Sequence, residues 1–208
     1  MSIKKLKIKN FKCFSDWFSV DFYDGVNILV GNNGTGKSTI LEAINLVLTG
    51  TYRGKNIRNE LSQYLFNNSV VKKYFEKINN GEILEPPEII IEVYFNEEIP
   101  SFLGDYNSEM IKDVSGITLS INFDKKYTNE YKILCENKVM SLPIEYYEIN
   151  WRSFARENIT SRSIPVKSAM IDTTTYTPIS GSDIYISRIV KNFLEDDEII
   201  SISHISST

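Results

Sequence analysis

A chain of 208 residues with 42% hydrophobic and 24% charged residues has the composition of an ordinary globular protein and enough length to bury a core. Its formal net charge of −4 argues against a protein that coats nucleic acid over its whole surface, and no apolar run approaches the ~20 residues of a membrane-spanning helix. Two distant cysteines, Cys13 and Cys135, and a single histidine, His204, speak against a structural zinc site and predict reduced thiols. The N-terminus interleaves lysines with apolar residues instead of building the continuous apolar stretch of a secretory signal, so a cytoplasmic location is expected.

Residues 3–9 alternate, with Leu6 and Ile8 on one side and Lys5, Lys7 and Lys9 on the other, which predicts a half-buried strand whose charged side faces solvent. A second short strand is expected over Trp17–Phe22. After the Asp24-Gly25 turn, Val26–Val30 is a continuous apolar run, the pattern of a central strand buried on both faces. From Lys37 the period changes: Ile40, Leu41, Ile44, Val47 and Leu48 recur at three- and four-residue steps, predicting a helix that stops at Gly50. The asparagine-rich stretch beyond it predicts a helix over 61–78. Pro86-Pro87 ends that region, and Glu88–Phe95, Gly116–Phe123 and Tyr131–Cys135 read as strands of an antiparallel β-lobe, extended by Tyr146–Asn150. Residues 152–181 read as loop with a short strand at Ala169–Ile171, and Asp183–Leu194 returns to helical spacing.

The chemistry sits between the apolar run and the first helix. Gly31-Asn32-Asn33-Gly34-Thr35-Gly36-Lys37-Ser38 matches G-x-x-x-x-G-K-[ST] without a substitution, a match expected by chance in roughly one chain of this length in a hundred. Glycines at 31, 34 and 36 let the backbone curl round a phosphate, and Asn32 and Asn33 tolerate left-handed conformations. The amides of residues 34–38 then converge at a helix N-terminus, whose dipole favours an anion. Lys37 is placed for the β- and γ-phosphates of ATP, Ser38 for Mg²⁺, and Thr39 for the α-phosphate. A glycine-rich turn that binds nothing is the alternative.

Other parts of a nucleotide-hydrolysing site are not evident. The base-reading Asn-Lys-x-Asp of GTPases is lacking, since Asn137-Lys138-Val139-Met140 has no aspartate. A nucleotide kinase needs lid arginines, for which Arg152, Arg156 and Arg162 are candidates, although solvated loop arginines explain them as well. No apolar strand ends convincingly in the acidic pair that holds Mg²⁺ and orients water.

Leu6-Lys7-Ile8-Lys9-Asn10-Phe11-Lys12-Cys13-Phe14, followed by Val26–Gly31 and by Asn33-Gly34-Thr35-Gly36-Lys37-Ser38-Thr39-Ile40-Leu41-Glu42-Ala43-Ile44, resembles the opening of RecF/SMC-like ABC ATPases. The nearest likeness is to OLD-family ATP-dependent endonucleases and AAA-type phage-defence ATPases. The resemblance covers residues 1–48 closely and 86–195 in topology only. It implies the N-terminal half of an ATPase domain, with the signature motif, Walker B strand, switch histidine and any Toprim nuclease in a C-terminal part that these residues do not include. It also implies that Lys12 approaches the nucleotide beside the P-loop, where a surface lysine is the alternative. The family's Q-loop glutamine has no clear counterpart, Gln63 being the one glutamine.

The expected fold is therefore an α/β P-loop NTPase of ABC type: P-loop core at 1–50, helical insert at 51–85, β-lobe at 86–150, and loop and helix at 151–208. Mg·ATP is the expected ligand, at Gly31–Thr39 and Lys12. A homodimer sandwiching ATP is the expected assembly, with a DNA transaction such as cleavage, repair or phage defence in the full protein. A non-catalytic, ATP-dependent dimerisation or docking module is the main alternative. The lysines of residues 4–12 offer a DNA contact, but their alternation also explains them as one strand's wet face. Glu195–Glu198 and His204 read as solvated rather than metal-binding.

Overall fold

The computed structural model describes residues 2–82, 84–136 and 141–170. Met1–Lys167 forms one compact unit and Ser168–Thr208 a second. Nearly all of the second, including the expected helix at 183–194, the acidic run 195–198 and His204, lies outside the described residues. In chain order the elements are β1 (Ile3–Lys9), β2 (Phe18–Asp21), α1 (Lys37–Thr49), β3 (Thr51–Tyr52), β4 (Lys55–Asn56), α2 (Ile57–Glu60), α3 (Asn68–Asn79), β5 (Ile89–Phe95), β6 (Gly116–Phe123), α4 (Thr128–Glu136) and β7 (Tyr147–Ser153).

Five strands form one antiparallel sheet in the order β2-β1-β5-β6-β7. Period-2 alternation assigns its two faces. Leu6 and Ile8 of β1, Ile89, Ile91 and Val93 of β5, and Ile117, Leu119 and Ile121 of β6 line the inner face and are fully or almost fully buried. Against it lies α1, with Ala43, Leu46 and Val47 fully buried. Complete burial of one such leucine contributes about 1.5–3 kcal/mol. The Trp151 indole on β7 donates to the Val47 carbonyl at 2.9 Å. Gly50 then closes α1 in the left-handed conformation (φ 67°), and a Cβ there would lie 2.9 Å from the Trp151 ring.

The outer face carries Lys5, Lys7 and Lys9, then Ile90, Glu92 and Tyr94, then Thr118, Ser120 and Asn122, then Glu148, Asn150 and Arg152. Here the structure corrects the expectation of freely solvated lysines. The connection between β5 and β6 folds over the strands: Lys5 pairs with Glu109 at 2.6 Å, Lys7 reaches Ser108 Oγ at 2.6 Å and Glu109 at 3.1 Å, and Lys9 pairs with Glu88 at 3.1 Å. Beneath this flap Glu92, 2% exposed, accepts from the Ser108 amide at 2.6 Å, the Ser108 hydroxyl at 2.7 Å and the Tyr94 hydroxyl at 2.9 Å. Those bonds replace the water that a buried carboxylate loses.

Four further expectations are corrected. Val26–Val30 is no central strand: it pairs with nothing among the described residues, and Val26, Ile28 and Val30 are 89%, 79% and 89% exposed. Its composition suits burial on two faces, but a strand exists only with a ladder partner, and no described strand pairs with it. The helix expected over 61–78 begins at 68 instead, because Asn67 caps it by accepting from the Ser69 amide at 3.0 Å and the Val70 amide at 3.3 Å. Leu61–Phe66 is extended with one 3-10 turn. Tyr131–Cys135, expected as a strand, belongs to α4, since Tyr131, Leu134 and Cys135 share a helical face at i, i+3 and i+4. Ala169 and Met170 are irregular, and the rest of that expected strand lies outside the described residues.

Two outcomes follow. Asn67→Ala removes the α3 cap and the 2.7 Å bond from Asn67 Nδ2 to the Lys12 carbonyl, so urea unfolding should show a loss of about 1–2 kcal/mol. The Lys5 hydrogen bond holds the Glu109 carboxyl below its ordinary value of 4.5. A depressed carboxylate contributes stability above its unfolded value that is lost as pH falls through the folded one. Amide exchange at 107–111 should therefore accelerate below that range, and Glu109→Gln should remove this dependence.

Candidate nucleotide-binding site

The P-loop leaves the exposed Val26–Val30 run and enters α1 without a side-chain cap, because the capping position is Gly36. Gly34 (φ 82°) and Gly36 (φ 95°) take the left-handed backbone that the curl requires. Gly31, Asn32 and Asn33 do not, so the asparagines' tolerance of that region is unused. A Cβ on Gly36 would lie 2.8 Å from the Phe14 ring and 2.9 Å from Cys13 Sγ. The loop is thus pressed against the turn Phe11–Phe14, where Phe14 stacks on Phe18 at 4.2 Å between centroids.

Among the described residues the amides of Lys37, Ser38 and Thr39 find no acceptor, the first bond into α1 being Ile40 N to Gly36 O at 2.9 Å. Three convergent unpaired N–H groups at the positive end of a 13-residue helix make an oxyanion site. The Lys37 ammonium lies within the loop, donating to the carbonyls of Gly31 and Asn32 at 2.7 Å each. An incoming phosphate offers it a charged acceptor in place of those two neutral ones. Thr35 closes the loop through its hydroxyl, 2.9 Å from the Asn32 carbonyl. Ser38 is exposed on the first turn, and Thr39 is buried with its hydroxyl 3.6 Å from the Cys13 thiol. These residues fit a triphosphate with Mg²⁺: amides and Lys37 for the phosphates, the Ser38 hydroxyl for the metal.

Lys12 lies beside α1, its ammonium paired with Glu42 and 4.9 Å from the Tyr52 ring centroid. It has a positive φ of 50° and bonds through its backbone to Leu65 O and Asn67 Nδ2. The asparagine and the phenylalanine of this segment, Asn10 and Phe11, have structural roles that composition does not reveal. Buried Asn10 donates to the Glu88 carbonyl at 2.8 Å and accepts from the Asn67 amide at 3.1 Å, tying the P-loop's flank to β5 and α3, while Phe11 is fully buried. Only the spacing of Asn10 and Phe11 within an otherwise basic stretch signalled this.

Other candidates are not brought to the P-loop. Arg152 stands on the outer face of the sheet, opposite α1, and Arg156 pairs with Asp105 at 2.9 Å, so neither closes over the phosphates as a lid. Gln63 accepts from the Leu142 amide at 3.3 Å. No described helix is long and apolar enough to cross a membrane.

Comparison with known proteins agrees with the P-loop. The chain is 30% identical over 155 residues to the structural maintenance of chromosomes protein 3 homolog of Plasmodium falciparum, covering 68% of this chain and 12% of that protein. It is 43% identical over 86 residues to the chromosome partition protein Smc of Fusobacterium nucleatum, covering 41% and 7%. Against the DNA double-strand break repair Rad50 ATPase of Archaeoglobus fulgidus it is 42% identical over 59 residues, covering 28% and 6%. It thus spans at most about an eighth of the length of these relatives. A solved structure from work on "ATP-driven dimerization and DNA stimulated activation of SMC ATPases" aligns over 98% of both chains at 20% identity with a TM-score of 0.39. The family described as "AAA ATPase domain" matches residues 1–205, and the chain, an α/β P-loop protein built on an antiparallel sheet, belongs to that family.

Proposed function

We propose that this chain binds Mg·ATP through Gly31–Thr39 and is the nucleotide-holding half of a divided ATPase site. The observation that carries this reading is the uncapped first turn of α1 with the Lys37 ammonium lodged in the loop before it. Bound ATP supplies the phosphoanhydride. This chain's own residues bind and orient it: amides 37–39 and Lys37 hold the phosphates, and Ser38 holds the metal. Lys12 stands near the site and releases Glu42 if it turns to the nucleotide.

The second half adds strands beside Val26–Val30, whose apolar side chains are otherwise wasted in water. Two complete domains then sandwich ATP in a homodimer, and hydrolysis gates a DNA transaction. Proteins of chromosome partition and repair among the relatives support that direction. Cleavage of OLD type or phage defence is its finer form, supported by the Ile8–Phe14 motif beside the P-loop. DNA contact does not run through Lys5, Lys7 and Lys9, which carboxylates already neutralise. A non-catalytic role, with ATP controlling association alone, is favoured by one observation: Glu42, one helical turn beyond Ser38, is already paired with Lys12.

Titration with a fluorescent ATP analogue and Mg²⁺ tests the reading. Wild-type chain should saturate, and Lys37→Ala should weaken binding roughly 30-fold, about 2 kcal/mol. Equal affinity in that variant defeats the proposal. Gly36→Ala should also lose binding, because its Cβ forces Phe14 and Cys13 away from the loop. Turnover by this chain alone, abolished in Lys37→Ala, would exclude the non-catalytic role.

A further inference from the structure

Lys37 and Lys12 bring ammonium groups to the P-loop and its flank, and each is engaged within the chain. Lys37 donates to the carbonyls of Gly31 and Asn32, neutral acceptors that a phosphate outcompetes. Lys12 is held more tightly. It pairs with the Glu42 carboxylate, and its ammonium lies 4.9 Å from the Tyr52 ring centroid and 5.8 Å from that of Phe11. The side chains of Lys12 and Glu42 are 22% and 20% exposed, so solvent and salt screen this pair less than an ion pair in open water.

The main chain of Lys12 is fixed. Its amide donates to the Leu65 carbonyl at 2.8 Å and its carbonyl accepts from Asn67 Nδ2 at 2.7 Å, so only the side-chain torsions can move the ammonium. The residue also sits at φ 50°, where a lysine is strained and a glycine or asparagine is tolerated. Strain kept where the neighbours over-determine the backbone points to a side chain with a task. Glu42 is under a complementary constraint. It follows Ser38 by four residues on α1, hence on the same side of the helix and one turn away, close to the unpaired amides of Lys37, Ser38 and Thr39. A carboxylate there repels an incoming triphosphate unless a cation neutralises it.

We propose that Glu42 is an autoinhibitory counter-ion of the nucleotide site: it holds Lys12 away from the phosphates, so that ATP draws on this cation only by breaking the pair. The inference rests on the reading of Gly31–Thr39 as an Mg·ATP site and adds to it the group that limits its affinity. Lys12 then contributes its attraction for phosphate less the cost of unpairing Glu42. Glu42→Gln keeps the shape of the side chain and an oxygen acceptor for Lys12 but removes the charge, which releases the ammonium to the phosphates. Lys12→Ala does the opposite, taking away the cation and leaving the carboxylate uncompensated beside the nucleotide. The two changes therefore act on binding in opposite directions, whereas a pair that only fastens residues 11–14 to α1 would loosen the site when either partner is lost.

The full chain is titrated with a fluorescent ATP analogue and Mg²⁺ as wild type, Glu42→Gln, Lys12→Ala, the double variant and Lys37→Ala. Glu42→Gln should bind about threefold to tenfold more tightly than wild type. Lys12→Ala should bind about tenfold more weakly or worse. Adding Glu42→Gln to Lys12→Ala should recover about threefold or more, as expected of coupled neighbours. With no nucleotide, Glu42→Gln should melt within about 4 °C of wild type, since a partly exposed pair contributes little to stability. The inference falls if Glu42→Gln binds as wild type does or more weakly, which would make Glu42 a ligand of the metal or a fastening of the loop. It falls also if the double variant binds no better than Lys12→Ala, or if Glu42→Gln melts well below that range. Any of these results with Lys37→Ala still impaired leaves the ATP-binding reading standing, whereas equal affinity in Lys37→Ala removes both.

Discussion

The seating of α1 on the inner face of the sheet is the interaction on which the rest of this unit depends. Ala43, Leu46 and Val47 are fully buried there, and the Trp151 indole fixes the helix end by bonding the Val47 carbonyl. Because side chains of a helix in a close-packed interior cannot slide without opening voids, this seating sets the height and direction of the helix N-terminus. The P-loop's amides inherit their aim from it. The turn at Phe11–Phe14 supplies the second support, through Phe14 and Cys13 against Gly36. A loop made of glycine and asparagine has little rigidity of its own, so its geometry comes from these two neighbours.

The sheet that seats α1 divides its chemistry by face. One side is given almost wholly to apolar packing. On the other, lysines, carboxylates and small amides stand in cross-strand rows, and the long β5–β6 connection covers part of them by pairing its own Ser108 and Glu109 with Lys5, Lys7 and Glu92. Burying these groups is tolerable because nearly every one finds a partner, in accord with the cost of leaving a desolvated charge alone. Arg152 departs from that rule on an otherwise satisfied face.

Much of this was legible in the residues, for reasons that differ by element. The P-loop and α1 were readable because a fixed motif adjoins a strong 3.6-residue period, β1, β6 and β7 because their alternation is uninterrupted, and β5 because it is a run of β-branched and aromatic residues. The α4 stretch misled because Tyr131–Cys135 is a short apolar run, and five residues cannot separate a strand from a helix face by period alone. The start of α3 was hidden since Asn67 and Asn68 are both plausible caps, and tertiary bonds from Asn67 to Lys12 and Asn10 decide between them. The polar rows of the outer face could not have been read at all. They exist only through register, which places Glu92, Thr118 and Arg152 in one row although they lie far apart in sequence.

Val26–Val30 shows a different kind of limit. Its pattern correctly describes a segment suited to two-sided burial, yet the described residues provide neither side: three of its five side chains are about four-fifths exposed or more. This run is also the N-terminal anchor of the P-loop, so the loop is held firmly at α1 and weakly at its entry. Pairing the run with strands from elsewhere would restrict the loop's entry and reduce the ordering that phosphate binding must otherwise impose. Linkage makes the effect mutual: whatever free energy such pairing adds to nucleotide affinity, bound nucleotide adds to the pairing. A half-site built this way would tie such pairing to bound nucleotide through one unpaired apolar run.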